Sequence, residues 1–363
     1  MSVIWTILAF IVIFSMLVVA HEFGHYIVAR ANGITVKEFA VGMGPKILRI
    51  PGKHTEFVLR ALPLGGACVF EDEDPFEDED DEARKEENAL EKTDEKDSGK
   101  FSDAPLPARL ITTIAGPAFN ILLGFILAMI IVSLCGEHTN EIGEIIDGSP
   151  AQEAGLQAGD KIVSINGEKV YLFTEIPLIA MTSTKDVWEI KYDRNGVVNT
   201  VTLTPAVDET GKYIGVYPAD KINCFNFRMF EYSWYEVRYW LKATFKSLGM
   251  LFTGKLTKDD IAGPVGVAQV IGTTIKDTKA YGTLIVIINL MDIALLLSVN
   301  LAIMNLLPFP ALDGGRLIFL LFELIFRKKV PKKYEAIVTL VGFGILVVLA
   351  VLVLINDISR FFR

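Results

Sequence analysis

The chain is poor in the residues that hold structural metals and disulfide bonds. Its 363 residues include only three cysteines and four histidines. The cysteines, Cys68, Cys135 and Cys224, match no paired spacing typical of a zinc site, which argues against a cysteine-built metal cluster. We expect three free thiols, and a bridge between Cys135 and Cys224 stays open.

Charged side chains are missing from four long stretches, apart from one acid, Asp292. Each stretch is long enough to cross the hydrocarbon core, which takes about 20 helical residues. No Lys or Arg precedes the first stretch, which argues against a signal peptide. A mean hydropathy of +0.40 agrees with four membrane spans. The stretches are 3–20, 110–135, 284–307 and 336–355.

Basic residues predict the orientation of these spans. Residues 30–60 and residues 316–333 each carry six Lys or Arg. Since short cytoplasmic loops are enriched in Lys and Arg, both loops should be cytoplasmic. Both termini and residues 136–283 should then lie outside.

The net charge of −9 has a local origin. Residues 71–97 contain sixteen Asp or Glu and four Lys or Arg. A segment with so few apolar residues cannot bury a core, so we expect a disordered cytoplasmic loop over 71–105. A cation-sensing role is the alternative.

Residues 140–220 are predicted to form a compact β-rich module. Asn166-Gly167 and Asn195-Gly196 are hairpin signals between alternating apolar segments. The predicted strands are 142–146, 161–165, 187–192 and 197–203, with helices over 151–154 and 174–182.

This module resembles a PDZ domain of the bacterial protease-associated type. The resemblance rests on three motifs, at residues 148–151, 154–160 and 165–167. It implies a groove beside strand Ile142–Ile146, with Ile142 and Gly143, in which a peptide C-terminus adds as an extra strand. A domain that only excludes bulky substrates is the alternative.

Residues 225–252 alternate aromatic and basic side chains, among them Trp234 and Lys242. This pattern favours an amphipathic helix on the outer membrane surface. A soluble helix packed on the β-rich module is the alternative.

His21-Glu22-Phe23-Gly24-His25 occurs at the inner end of the first span. In a helix, residues four apart share a face, so both imidazoles can bind one metal ion with Glu22 beside them. Such a metal activates water at neutral pH, and the glutamate accepts its proton. Two helix-end histidines that bind backbone or headgroups are the alternative.

A catalytic zinc site needs a third protein ligand. The two other histidines, His54 and His138, are poorly placed. Asp313 is the candidate, because it follows an apolar span in the segment Asn305–Gly315, whose prolines and glycines break a helix. A carboxylate at such a break needs a partner, and a metal is a natural one. A solvated Asp at a helix end is the alternative.

Together these motifs resemble the site-2 proteases, the intramembrane zinc metalloproteases, in their bacterial form with one external PDZ domain. The motifs follow the family's order along nearly the whole chain. They are His21-Glu22-x-x-His25, Gly42-Met43-Gly44-Pro45, Pro63-Leu64-Gly65-Gly66, Ala115-Gly116-Pro117-x-x-Asn120, Gly263-Pro264-Val265-Gly266 and Asn305–Gly315.

The resemblance implies a role for each matching residue. His21, His25 and Asp313 would be the Zn²⁺ ligands and Glu22 the general base. Asn305 would hold the substrate backbone. A membrane-dipping β element around Gly42–Gly66, with Gly65 and Gly66, would pair with the extended substrate. The sequence departs from the family pattern at residues 67–70.

The resemblance also implies the reaction and its setting. The substrates would be single-span proteins cut within their transmembrane segments in a bacterial plasma membrane, such as anti-sigma factors or remnant signal peptides after a first cut outside. The zinc site would lie near the cytoplasmic side. A membrane-anchored PDZ scaffold with a non-catalytic metal site and a metal transporter are the alternatives. Nothing indicates nucleic-acid binding.

We therefore expect a polytopic α-helical membrane protein with four transmembrane helices and an inserted extracytoplasmic β-rich PDZ-like domain. Its predicted segments are 1–31 (first span), 32–70 (β element), 71–105 (acidic loop), 106–135 (second span), 136–220 (PDZ-like domain), 221–282 (amphipathic membrane-surface region), 283–327 (third span, broken) and 328–363 (fourth span).

Overall fold

The structure is a computed structural model that describes residues 2–71, 99–208, 211–255 and 262–361. The predicted acidic loop falls on residues 72–98 for most of its length, and these lie outside the described residues.

Nine α-helices lie within the described residues. Four of them are long and apolar enough to cross a membrane, as the apolar stretches predict. The helices are α1 Ser2–Ala31, α2 Leu106–Cys135, α3 Pro150–Glu153, α4 Glu175–Thr182, α5 Arg228–Phe252, α6 Pro264–Thr278, α7 Thr283–Leu306, α8 Asp313–Phe326 and α9 Lys332–Phe361. The four membrane-length helices are α1, α2, α7 and α9.

Ten strands occur in the described ranges. They are β1 Val36–Pro51, β2 Glu56–Phe70, β3 Ile142–Ile145, β4 Lys161–Ile165, β5 Glu168–Lys169, β6 Trp188–Arg194, β7 Val197–Leu203, β8 Ala206–Asp208, β9 Gly211–Tyr213 and β10 Val216–Pro218.

The chain forms two compact units. The first contains Met1–Leu123, Ala262–Val286 and Leu301–Arg363, and the second contains Gly124–Ile261 and Ile287–Asn300.

In the first unit, β1 and β2 form one curled antiparallel sheet. The first half of β1 pairs with both ends of β2, since Ala40 lies opposite both Ala67 and Val58. Each long strand therefore bends on itself, and the bends fall at glycines with positive φ, such as Gly42 (φ +92°) and Gly65 (φ +74°). The last segment of β2, residues 66–70, is left at one edge of the sheet.

The second unit contains the PDZ-like domain. A four-stranded sheet in the order β5-β4-β6-β7 covers a core of large apolar side chains. Trp188 and Ile190 of this core are fully buried. Both Asn-Gly hairpins form as predicted, because Asn166 and Asn195 adopt the left-handed conformation that two-residue turns require (φ +54° and +56°).

Helix α5 also belongs to the second unit and packs on the PDZ-like domain. Arg238 forms an ion pair with the buried carboxylate of Glu175, and Lys246 lies 2.9 Å from Glu168. This is the packed arrangement that the sequence left as an alternative. Contact of the helix with a membrane surface stays a prediction for its aromatic face. The exposed aromatic residues are Phe227, Phe230, Trp234, Phe245 and Phe252.

Candidate metal centre

Three predicted metal ligands converge in the first unit. His21 and His25 are one turn apart on α1, and Asp313 is the first residue of α8. Asp313 Oδ2 lies 3.1 Å from Nε2 of His21 and 3.3 Å from Nε2 of His25, and the two Nε2 atoms are 3.3 Å apart. Three ligands of a tetrahedral zinc ion with bonds of about 2.0–2.1 Å are separated by roughly 3.3–3.4 Å. The three atoms therefore have the spacing of one tetrahedral face.

The donor set fits a zinc ion chemically as well. Asp313 Oδ2 is buried and has no hydrogen bond of acceptable geometry, although both imidazoles are close. A buried carboxylate oxygen without a partner is costly unless a cation binds it. Two imidazole nitrogens and one carboxylate oxygen are a ligand set that catalytic zinc sites use.

A glycine keeps this space open. A Cβ atom on Gly116 of α2 would lie 2.2 Å from Nε2 of His25 and 2.8 Å from Cε1 of His21. Any other residue at position 116 would therefore place an atom among the metal-binding nitrogens. The sequence motif contained Gly116, but sequence reasoning gave it no role.

Helix α2 also fixes the orientation of both imidazoles. His25 Nδ1 donates to the carbonyl oxygen of Thr112 at 2.8 Å, so its Nε2 lone pair is free for a metal. Nδ2 of Asn120 lies 3.3 Å from Nδ1 of His21. When Nε2 of His21 binds a metal, Nδ1 carries the proton, and the Asn120 amide, flipped so that its oxygen faces Nδ1, is its acceptor. Sequence reasoning missed this role of Asn120, although its motif was visible.

Glu22 belongs to α1, and its side chain lies against the edge of the curled sheet. A Cβ on Gly66 would come within 2.8 Å of Cγ of Glu22, so the strand edge touches the predicted base. Gly65 and Gly66 thus lie beside the site, as the resemblance implies.

Asn305 lies near the metal ligands, at the end of α7. Its Nδ2 is 3.5 Å from Nε2 of His21. Helix α7 ends at Leu306, and the predicted break occupies the residues before Asp313. Ala311 in this break has φ +74°, a conformation that costs a non-glycine residue about 1–2 kcal/mol.

An ion pair connects the two helices on either side of the centre. Both terminal nitrogens of Arg109 on α2 donate to the Glu323 carboxylate of α8, at 2.9 and 2.6 Å. Bidentate geometry fixes the relative orientation of two planar groups.

The predicted peptide groove beside Ile142–Ile146 stays a prediction. Ile142 is fully buried in the second unit, and its N–H donates to Asp160 O while its carbonyl accepts from Gly159 N. Strand β10 pairs with the other side of β3. A Cβ on Gly143 would lie 2.4 Å from the Pro218 carbonyl oxygen, so the two strands approach closely there.

Strand β10 also has an open edge, because it pairs only with β3 among the described strands. Gly215 O accepts a hydrogen bond from Ile146 N. Because antiparallel residues alternate in direction, Val216 then points its backbone groups away from β3.

The remaining histidines and cysteines take no part in the metal centre. His54 is exposed between β1 and β2, and His138 Nδ1 donates to Ala219 O in the second unit. The three cysteines are free thiols, as expected.

Comparison with known proteins places the chain in a family. Residues 9–349 match the model of peptidase family M50. The zinc metalloprotease RasP of Geobacillus kaustophilus is 31% identical, with 98% of each chain covered. The probable protease eep of Enterococcus faecalis is 33% identical, with 98% of this chain and 99% of the relative covered.

The chain belongs to peptidase family M50, the site-2 proteases, and is a membrane-embedded zinc metalloprotease. A PDZ domain of an SdrC-like protein from Listeria monocytogenes is 26% identical over 23% of this chain and 88% of its own. Its TM-score of 0.19 is too low for a structural comparison.

Proposed function

We propose that this chain cuts single-span membrane proteins within their transmembrane segments, with His21, His25 and Asp313 as zinc ligands and Glu22 as general base. The observation that carries the proposal is the tetrahedral-face spacing of the three ligand atoms, 3.1–3.3 Å, two of which lie on the same helix as Glu22.

The residues around the centre would divide the chemistry among them. A zinc ion held by the three side chains supplies Lewis acidity to the scissile carbonyl and to water. Glu22 accepts the proton of the attacking water and returns it to the leaving amine. Asn305 donates its amide N–H to the substrate backbone near His21, and Asn120 keeps His21 in the required tautomer.

The substrate must arrive as an extended chain. A transmembrane helix hides its carbonyls in i→i−4 hydrogen bonds, so the reacting segment must unwind first. The strand edge at residues 66–70 offers replacement hydrogen bonds beside Glu22, as in other cases of strand addition. Substrates with helix-weakening residues near the cut should therefore be preferred.

We also propose the sidedness that the basic loops predict. With residues 30–60 and 316–333 in the cytoplasm, the metal centre lies near the cytoplasmic face. Both termini and the PDZ-like domain are then outside the cell. Cysteine labelling from either side of the membrane tests this, and external labelling of a cysteine introduced at Lys53 would contradict it.

The expected targets are anti-sigma factors or remnant signal peptides, after a first cut outside has removed most of the external domain. The PDZ-like domain would exclude substrates that still carry bulk. Its open edge at Val216 could also bind a new peptide C-terminus, but Pro218 lacks an N–H and shortens that edge.

The central experiment compares purified wild-type protein with Glu22→Gln. Both are assayed for bound zinc and for cleavage of a single-span reporter. We expect Glu22→Gln to retain zinc and to lose at least about 10²-fold in cleavage rate. Equal cleavage by both proteins would exclude Glu22 as the base, and no cleavage by either would favour a PDZ scaffold with a non-catalytic metal site.

A further inference from the structure

The fourth span, α9, packs against the rest of the first unit at few positions. Of the residues in α9 whose side chains are described, only Gly342 and Asp357 are buried. Most of its apolar side chains are exposed, as suits a helix that faces lipid. The two buried residues therefore mark its anchors.

The first anchor is a close approach of two backbones. A Cβ on Gly342 would lie 2.4 Å from Cβ and 2.6 Å from the carbonyl oxygen of Pro310. A Cβ on Gly344, two residues further along α9, would have no neighbour within 4 Å. Of these two glycines, only Gly342 lies where the neighbouring atoms leave no room for a side chain.

Pro310 belongs to the turn that delivers Asp313 to the histidines. The next residue, Ala311, is exposed and has φ +74°. An alanine adopts this conformation only when its surroundings impose it. Helix α9 contacts this turn through Gly342, which packs against Pro310.

The second anchor fixes the far end of α9. Asp357 accepts hydrogen bonds from the backbone N–H groups of Gly263 at 3.1 Å and Gly266 at 2.8 Å, at the start of α6. Helix α6 in turn approaches α1, because a Cβ on Gly272 would lie 3.2 Å from Oγ1 of Thr6. About 22 Å of helix separates the two anchors.

We propose that Gly342 is a positioning residue for the metal ligand Asp313. Helix α9, fixed at its far end by Asp357, presses on Pro310 and holds the strained turn, which sets the distance from the Asp313 carboxylate to both imidazoles. The inference rests on the proposed role of Asp313 as a zinc ligand.

The test uses the full-length protein in detergent micelles, as wild type, Gly342→Ala, Gly344→Ala and Asp313→Ala. Zinc dissociation constants are measured by chelator competition, and the visible absorption of bound Co²⁺ reports ligand geometry. We expect Gly342→Ala to weaken zinc binding by roughly tenfold or more and to change the Co²⁺ spectrum. Gly344→Ala should match wild type in both.

The outcomes separate the two proposals. Wild-type zinc affinity in Asp313→Ala would remove the proposed ligand, and this inference with it. Weak binding in Asp313→Ala but wild-type affinity and spectrum in Gly342→Ala would overturn the role of Gly342 alone.

A second variant serves if Gly342→Ala does not fold. Asp357→Asn adds no volume and loosens only the far anchor of α9. We expect it to weaken zinc binding by about two- to fivefold through the shift of α9 on Pro310. A wild-type dissociation constant and Co²⁺ spectrum in Asp357→Asn would then overturn the proposal.

Discussion

The metal centre and the core of the PDZ-like domain are built on opposite packing strategies. The PDZ-like domain surrounds large side chains, such as Trp188 and Ile190, with other large side chains. The metal centre depends on positions with no side chain at all. At Gly66, Gly116 and Gly342 an added Cβ would come within 2.2–2.8 Å of another residue.

This difference follows from the solvent around the PDZ-like domain and around the membrane spans. A water-soluble domain gains stability by burying apolar area, about 25 cal/mol per Å². Between membrane helices there is no such gain, because lipid is as apolar as leucine, and close backbone approach takes its place. The metal centre should therefore be sensitive to single added methyl groups, and the core of the PDZ-like domain to removed ones.

The largest expected effect is that of Gly116→Ala. The new methyl group would lie where the ligand atoms of His21 and His25 meet, so zinc binding and cleavage should both be abolished. Alanine is also the better helix former by about 1 kcal/mol, so loss of helix stability cannot explain the result. Zinc content and reporter cleavage are measured, with Gly344→Ala as the control. If Gly116→Ala binds zinc and cleaves the reporter, the metal centre does not depend on the missing side chain at position 116.

The matching change in the second unit removes atoms. Ile190→Ala should lower the free energy of unfolding of the PDZ-like domain by about 2–5 kcal/mol, because it leaves a cavity in the core. Val198→Ala, at an exposed position of the neighbouring strand β7, is the control and should change it by less than about 0.5 kcal/mol. Denaturant unfolding followed by tryptophan fluorescence gives both values. Equal losses in the two variants would contradict the assignment of the core.

The third prediction concerns the orientation of a ligand. Asn120→Ala removes the acceptor of the His21 Nδ1–H, so zinc affinity should fall by about 10- to 100-fold. Asn120→Asp keeps an acceptor oxygen and should retain most of the affinity. Chelator competition measures all three proteins. If the alanine and aspartate variants bind zinc equally, the amide does not orient His21.

The sequence predicted those parts of the molecule that depend on local pattern. The four spans follow from uninterrupted apolar runs, and the helix break before Asp313 follows from Pro308 and Pro310. Both hairpins of the PDZ-like domain follow from Asn-Gly pairs. In each case the residues that define the feature are neighbours in the chain.

What escaped prediction depends on contacts between distant segments. Nothing local to Gly116 indicates that it faces two histidines about ninety residues earlier. The pairing of β3 with β10 escaped prediction for the same reason, since β10 comes more than 70 residues later. Strand pairing between remote segments is not encoded in the pattern of either one alone.

The second unit also contains a polar cluster around the buried side chain of Glu137. The half-buried carboxyl group of Glu236 lies beside it, with Asp292, Lys221 and Tyr239 nearby. Burial, followed by the neighbouring carboxylate of Glu137, raises the pKa of Glu236 to about 9. The folded state therefore keeps a proton that the unfolded state loses near pH 4.3. Stability should fall as pH rises from about 4.3 to about 9.

The smallest predicted effect is that of Glu236→Gln, which mimics the protonated acid at every pH. We expect it to raise the free energy of unfolding by roughly 1–2 kcal/mol at pH 8 and to flatten the fall between pH 5 and pH 9, because the uncharged amide loses no proton there. Glu144→Gln, at an exposed position of β3, is the control and should leave the pH dependence unchanged. Denaturant unfolding across this pH range measures the free energy of unfolding of each protein. If Glu236→Gln keeps the wild-type dependence on pH, Glu236 does not hold the proton that destabilises the fold when it is lost.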